Sequence, residues 1–177
     1  MPPPTLSLAA LNGGDEAQFV AAVAPLFEGA PTWVARAWAA RPFADAEALH
    51  DALTQVMLSA TPDEQVALIA AHPDLVGRAA LAGTLTPHSQ GEQGAAGLDR
   101  LSVEEVATFT RLNAAYRERF AFPFVICARE NKKESIVAAF HARLSGSRDE
   151  EIRVALGQVA MIARLRLLDT IGPEEGG

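Results

Sequence analysis

Apolar residues recur along most of the chain at intervals of three and four, the period of helices buried on one face. Residues 15–27 place Phe19, Val23 and Leu26 at that spacing, and residues 45–59 place Leu49, Leu53, Val56 and Met57. Between them, residues 31–40 carry Trp33 and Trp38 on a short helix that Arg41-Pro42 stops; both tryptophans read as core or interface anchors. Three starts are written in capping chemistry: Thr61-Pro62-Asp63-Glu64, Ser102-Val103-Glu104-Glu105 and Ser147-Arg148-Asp149-Glu150. They predict helices to Ala71, to about Phe120 and to about Asp169, with a further helix over 131–144 through Ile136, Val137 and Phe140. Residues 120–127, FAFPFVIC, break the pattern. Their aromatic and β-branched content is extended, Pro123 interrupts them, and no neighbouring segment could pair with them. They read as a buried extended connector. The expected fold is all-α: one domain of seven to nine helices over 15–171, an N-terminal arm over 1–14 and a tail over 172–177.

Two places do not fit a plain core. The first is residues 71–98, AHPDLVGRAALAGTLTPHSQGEQGAAGL. Pro73 disfavours the α conformation at the residue before it, so the helix arriving there ends at about His72. An imidazole at a helix C-terminus is held towards its protonated form, which suits either a proton donor or a polar cap. Asp74 is placed to cap a short segment over 75–81. Beyond it, 84–93 reads as a polar loop containing Ser89-Gln90-Gly91-Glu92-Gln93, followed by a short helix over 92–98. The second place is the last helix. Ile152, Leu156, Val159 and Ala163 form one stripe, and its next member is Arg166. An inward guanidinium needs a partner, either an internal carboxylate such as Glu92 or an anionic ligand. Arg164 points elsewhere as a solvated charge. An enzyme acting on a small acid and a non-catalytic helical module binding one both satisfy these patterns.

The 177 residues are 49% hydrophobic with a net charge of −7, which opposes general attraction to nucleic acid. No apolar run reaches the roughly 18 residues of a membrane helix. The single cysteine, Cys127, forms no intrachain disulfide and reads as a small buried hydrophobe. His50 reads as a partly buried structural histidine. The N-terminal residues lack a secretory pattern and GPEEGG is neither a lipidation box nor a peroxisomal tripeptide, so a cytoplasmic, bacterial protein is expected. His72, His88, Asp74 and Glu92 could be drawn into a hydrolytic metal centre, but no HExxH-type pair supports it.

The motifs resemble those of the OHCU decarboxylase family, which acts on 2-oxo-4-hydroxy-4-carboxy-5-ureidoimidazoline in urate breakdown. The resemblance runs through Leu26-Phe27-Glu28-Gly29-Ala30-Pro31 with Trp33 and Arg41-Pro42-Phe43, then Ala71-His72-Pro73-Asp74-Leu75. It continues in Ser89-x-x-Glu92-Gln93 with Ala96-Gly97-Leu98, Asn113-x-x-Tyr116, Phe120-x-Phe122-Pro123-Phe124-Val125-Ile126 and Ile162-Ala163-x-Leu165-Arg166-Leu167. It implies an all-α homodimer without metal or organic cofactor, releasing one enantiomer of allantoin. His72 is then the catalytic acid, with Glu92 and Arg166 beside it. Pro73, Ser89 and Gln93 adjoin the substrate, Gln90 and Gly91 touch it through backbone groups, and Phe124, Val125, Ile126, Cys127 and Ala128 present main-chain groups. Ala121 stands where the family often has glycine. A paralogue acting on a related ureido acid carries the same motifs.

Overall fold

The computed structural model describes residues 5–172, which divide into two compact units, one made of the residues up to Leu68 with those from Ala160 onward, the other Ile69–Val159. Nine α-helices and three 3-10 segments occupy the described residues, and the β structure among them is one isolated bridge. The all-α expectation holds. Residues 1–4 and 173–177, the outer parts of the expected arm and tail, lie outside the described residues.

In the first unit, α1 (Leu8–Gly13) takes up part of the expected N-terminal arm. Its start is capped by Ser7, whose hydroxyl accepts from the Ala10 amide, and Leu8 and Leu11 are buried. Ahead of it, Leu6 bridges to Ile171 in parallel. The helix α2 (Glu16–Val23) opens on a reciprocal capping box between Asp15 and Gln18 and passes into a 3-10 turn, Ala24–Leu26, where Pro25 removes a helical donor. The tryptophan segment Thr32–Ala40 is a nine-residue 3-10 helix instead of an α-helix. Trp33 meets Phe27 edge-on at 5.1 Å, and Arg41 stacks 3.9 Å over Trp38. Asn12 clamps the following loop, donating to the Phe43 carbonyl at 2.9 Å and accepting from its amide at 2.8 Å. The helix α3 (Ala46–Ser59) packs Leu49, Leu53 and Met57 inward. His50 on it bonds the Ala160 carbonyl at 2.9 Å, the structural role expected. The unit boundaries fall within α4 (Pro62–Ala70) and α9 (Arg148–Thr170).

In the second unit, α5 (Arg78–Leu81) and α6 (Pro87–Ala95) precede α7 (Val103–Phe120), which packs against α8 (Lys133–Arg143). The core is aromatic. Tyr116 lies within 6.3 Å of the rings of Phe120, Phe122, Phe124 and Phe140, and Phe124 stacks on Phe140 at 3.7 Å. The connector after α7 runs without helix from Ala121 to Cys127, as the sequence indicates, and is buried from Phe122 to Ala128.

Candidate active site

The His72 turn is built by the helix before it and by three tethers after it. Thr61 caps α4, its hydroxyl accepting from the Glu64 amide at 3.3 Å while Glu64 accepts from the Thr61 amide at 2.9 Å. Pro73 forces the exit: α4 stops at Ala70, and the His72 amide closes a last bond to the Ile69 carbonyl at 3.1 Å. The histidine is 7% exposed, too enclosed for a mere surface cap. The turn then runs against α6 and α7. Arg117 donates to both oxygens of Asp74 at 2.9 and 3.1 Å. Asn113 donates to the Leu75 carbonyl at 2.8 Å, and the Val76 amide donates to Oε1 of Gln93 at 3.1 Å. Val76 holds φ +55°, a left-handed conformation costly for a β-branched residue. Asp74 therefore pairs with Arg117, and the cap of α5 is Gly77.

The polar run is a helix and not the expected loop. Thr86 caps α6 by accepting from the Ser89 amide, and Pro87 takes the first helical position, where no donor is needed. The helix ends at Ala95, so it takes in residues 92–95 of the 92–98 segment expected to be helical. Gly97, at φ +79°, closes it as Leu98 donates back to the Gln93 carbonyl at 3.0 Å. Helical spacing puts Ser89, Glu92 and Gln93 on one face. Ser89 and Gln93 are buried and Glu92 is half-buried. Gln90 and Gly91 are exposed, and the Gln90 amide is spent on the Thr86 carbonyl.

The third component is the connector, whose Ala128–Glu130 end packs against α6. It is fastened by three side chains: Arg143 donates to the Val125 carbonyl at 2.7 Å, the Cys127 amide donates to Gln158 at 2.9 Å, and Asn131 donates to the Cys127 carbonyl at 2.9 Å. Burial first, and the nearby carboxylates of Glu130 and Glu92, push the Cys127 thiol up, away from a nucleophilic thiolate. The second unit thus holds a buried imidazole, a hydroxyl and a carboxylate on one helix face, and a pinned stretch of main chain. Pro73 is half-buried beside the imidazole in the chain.

Arg166 belongs to the first unit and is 2% exposed, as its stripe position requires. It donates to Glu28 at 3.0 Å and to the Leu26 carbonyl at 3.4 Å. Glu28 is itself buried, although the sequence offers it only as one letter of the Leu26-to-Pro31 motif. No local signal pairs residues 138 positions apart; only the cost of an uncompensated inward arginine demands such a carboxylate. Arg164 is exposed and pairs with Glu47. Among the described residues no three His, Cys, Asp or Glu side chains converge as a metal donor set.

Residues 12–168 match the family model described as OHCU decarboxylase. The chain is 38% identical over 172 residues to the 2-oxo-4-hydroxy-4-carboxy-5-ureidoimidazoline decarboxylase of Halalkalicoccus jeotgali, covering 97% of this chain and 95% of that one. The protein of that name from Amia calva is 40% identical over 154 residues, 87% of this chain and 88% of that one. Among solved structures, an (S)-allantoin synthase superimposes with TM-score 0.71 at 25% identity, over 94% of this chain and 54% of that chain. A family match over almost the whole described chain makes this protein a member of the OHCU decarboxylase family.

Proposed function

We infer that the protein removes the carboxylate of 2-oxo-4-hydroxy-4-carboxy-5-ureidoimidazoline and yields (S)-allantoin in urate catabolism, acting as a carboxy-lyase. The observation that carries the site reading is His72, buried at a turn whose next residues are tied to α6 and α7. The chemistry needs no external electron sink. When the bond to the carboxylate breaks, carbon dioxide leaves and the electron pair forms a ring C=C as the adjacent C=N takes up a proton. The resulting enol then ketonises: the ureido-bearing carbon gains a proton and the hydroxyl loses one.

His72 delivers the proton to that carbon from a fixed side, which sets one hand of the product. Glu92 takes or holds the hydroxyl proton, with Ser89 beside it on the same helix face. The pinned main chain of 124–128 orients the flat ring. The resemblance gives Arg166 the task of holding an anionic or carbonyl oxygen of the substrate. Gln93, spent on Val76, shapes the turn under His72. Pro73 keeps its place next to the substrate, while Gln90 and Gly91 carry no weight in this reading. The resemblance also supports a homodimer. No helix among the described residues is long and apolar enough to cross a membrane.

The test uses substrate generated freshly by oxidising urate and hydrolysing the first product, followed by circular dichroism. The wild type should speed the appearance of one enantiomer. His72→Ala, folded, should lose roughly 10²–10⁴-fold in kcat, the usual worth of a general acid. An unchanged racemic time course with the wild type rejects the activity. Near-normal turnover by the variant rejects the role of His72.

A further inference from the structure

We propose that Arg143 is a positioning residue for the reaction: it sets the register of the substrate-binding connector, and Tyr116 and Glu151 hold its guanidinium for that task. The inference rests on the activity assigned above and adds three residues that touch no substrate. Along an extended chain the main-chain groups of successive residues face opposite edges. Val125 and Cys127 share one edge, and Phe124 and Ile126 share the other. Every tether just described acts on the first edge: Arg143 on the Val125 carbonyl, Gln158 on the Cys127 amide and Asn131 on the Cys127 carbonyl. The protein thus grips the connector along one side and presents the opposite one.

Arg143 is the member of this grip with the most constrained geometry. Its Nη1 reaches Val125 at 2.7 Å, its Nε donates to Glu151 at 2.9 Å and its Nη2 donates to the Tyr116 hydroxyl at 3.4 Å. The Tyr116 hydroxyl in turn donates to the same Glu151 oxygen. The guanidinium also lies 4.2 Å over the Phe124 ring, so it fixes the connector by a carbonyl and by the preceding side chain. Burial, and then the bond to Glu151, raise the Tyr116 phenol far above its ordinary range, so it remains a donor. Glu151 is 3% exposed. A buried ion pair of this kind is a poor device for stability alone, since apolar side chains of equal volume often serve as well. A planar fork that binds a carboxylate and a carbonyl together does what apolar packing cannot: it fixes a backbone to a fraction of an ångström.

Arg143→Lys tests this, because an ammonium keeps the charge beside Glu151 but loses the fork. Tyr116→Phe is the second variant, keeping the ring in the aromatic core. Arg143→Lys should raise KM by about 10- to 100-fold with a smaller fall in kcat, and Tyr116→Phe should shift KM the same way by less. Both should speed amide hydrogen exchange over residues 124–128 more than in α7 and α8. A lower unfolding midpoint with unchanged KM and no preferential exchange in the connector would overturn the proposal. If Arg143→Lys does not fold, the same two outcomes are read from Tyr116→Phe. The exchange arm needs no substrate, so it decides the positioning role even if the wild type fails to decarboxylate. That failure would reject the activity alone.

Discussion

Ala121 occupies the left-handed position that ends α7, with φ +62° and ψ +24°. A side chain there carries a steric penalty that glycine avoids. Ala121→Gly should therefore stabilise the protein by about 1 kcal/mol, read from chemical denaturation. This gives a physical meaning to the one departure from the family pattern noted in the sequence. Glu64 offers a pH-dependent counterpart. Its bonds to Arg36, and then to the Thr61 backbone, hold its carboxyl at about 2 against an ordinary 4.5. A depressed native pKa stabilises fully above the unfolded value and is lost as pH falls towards the native one. The gap in unfolding midpoint between wild type and Glu64→Gln should thus be largest above pH 4.5 and close as pH approaches 2. At this scale the sequence showed that Arg166 faces inward, because helical phase is local. It could not show Glu28, Arg117 or Arg143 at work, because their partners lie 138, 43 and 18 residues away.

The elements were legible wherever a cap and an apolar stripe agreed. The helices α4, α7 and α9 begin where Thr61, Ser102 and Ser147 announce them. The helix α6 was missed although Thr86-Pro87 repeats the Thr61-Pro62 signal, because Gly91, Gly94, Ser89 and His88 weaken helical propensity and the apolar period is absent. Tertiary contacts, chiefly Gln93 on the Val76 amide, are what this helix has in place of a stripe. The helix α1 was missed because six residues are too short for periodicity to register. The turn between α4 and α5 depends on Gly77, where an added Cβ would fall 2.7 Å from Cβ of Asp74 and 3.1 Å from its carbonyl oxygen. Gly77→Ala must push the backbone of that turn aside. We expect a loss of about 1–3 kcal/mol in stability, together with reduced kcat/KM, because the displaced loop is the one that carries His72.

For the molecule as a whole, the fold class and the family were readable, the first from periodicity and the second from the joint order of short motifs. The assembly state is not written in either. If the protein is the proposed homodimer, light scattering should give twice the 18.7 kDa chain mass at micromolar concentration. A monomeric mass would reject it. The pairing of Leu6 with Ile171 has its own consequence. The Leu6 amide reaches the Thr170 carbonyl at 2.7 Å, and the Gly172 amide returns to the Leu6 carbonyl at 2.9 Å. Residues 5 and 172 can therefore be spliced by a linker of a few residues, and the backbone reopened at the exposed Asp99-Arg100 turn. Such a circular permutant should fold with its helices in place, read as an unchanged helical circular dichroism spectrum, because the cut and the splice both fall outside the packed helices.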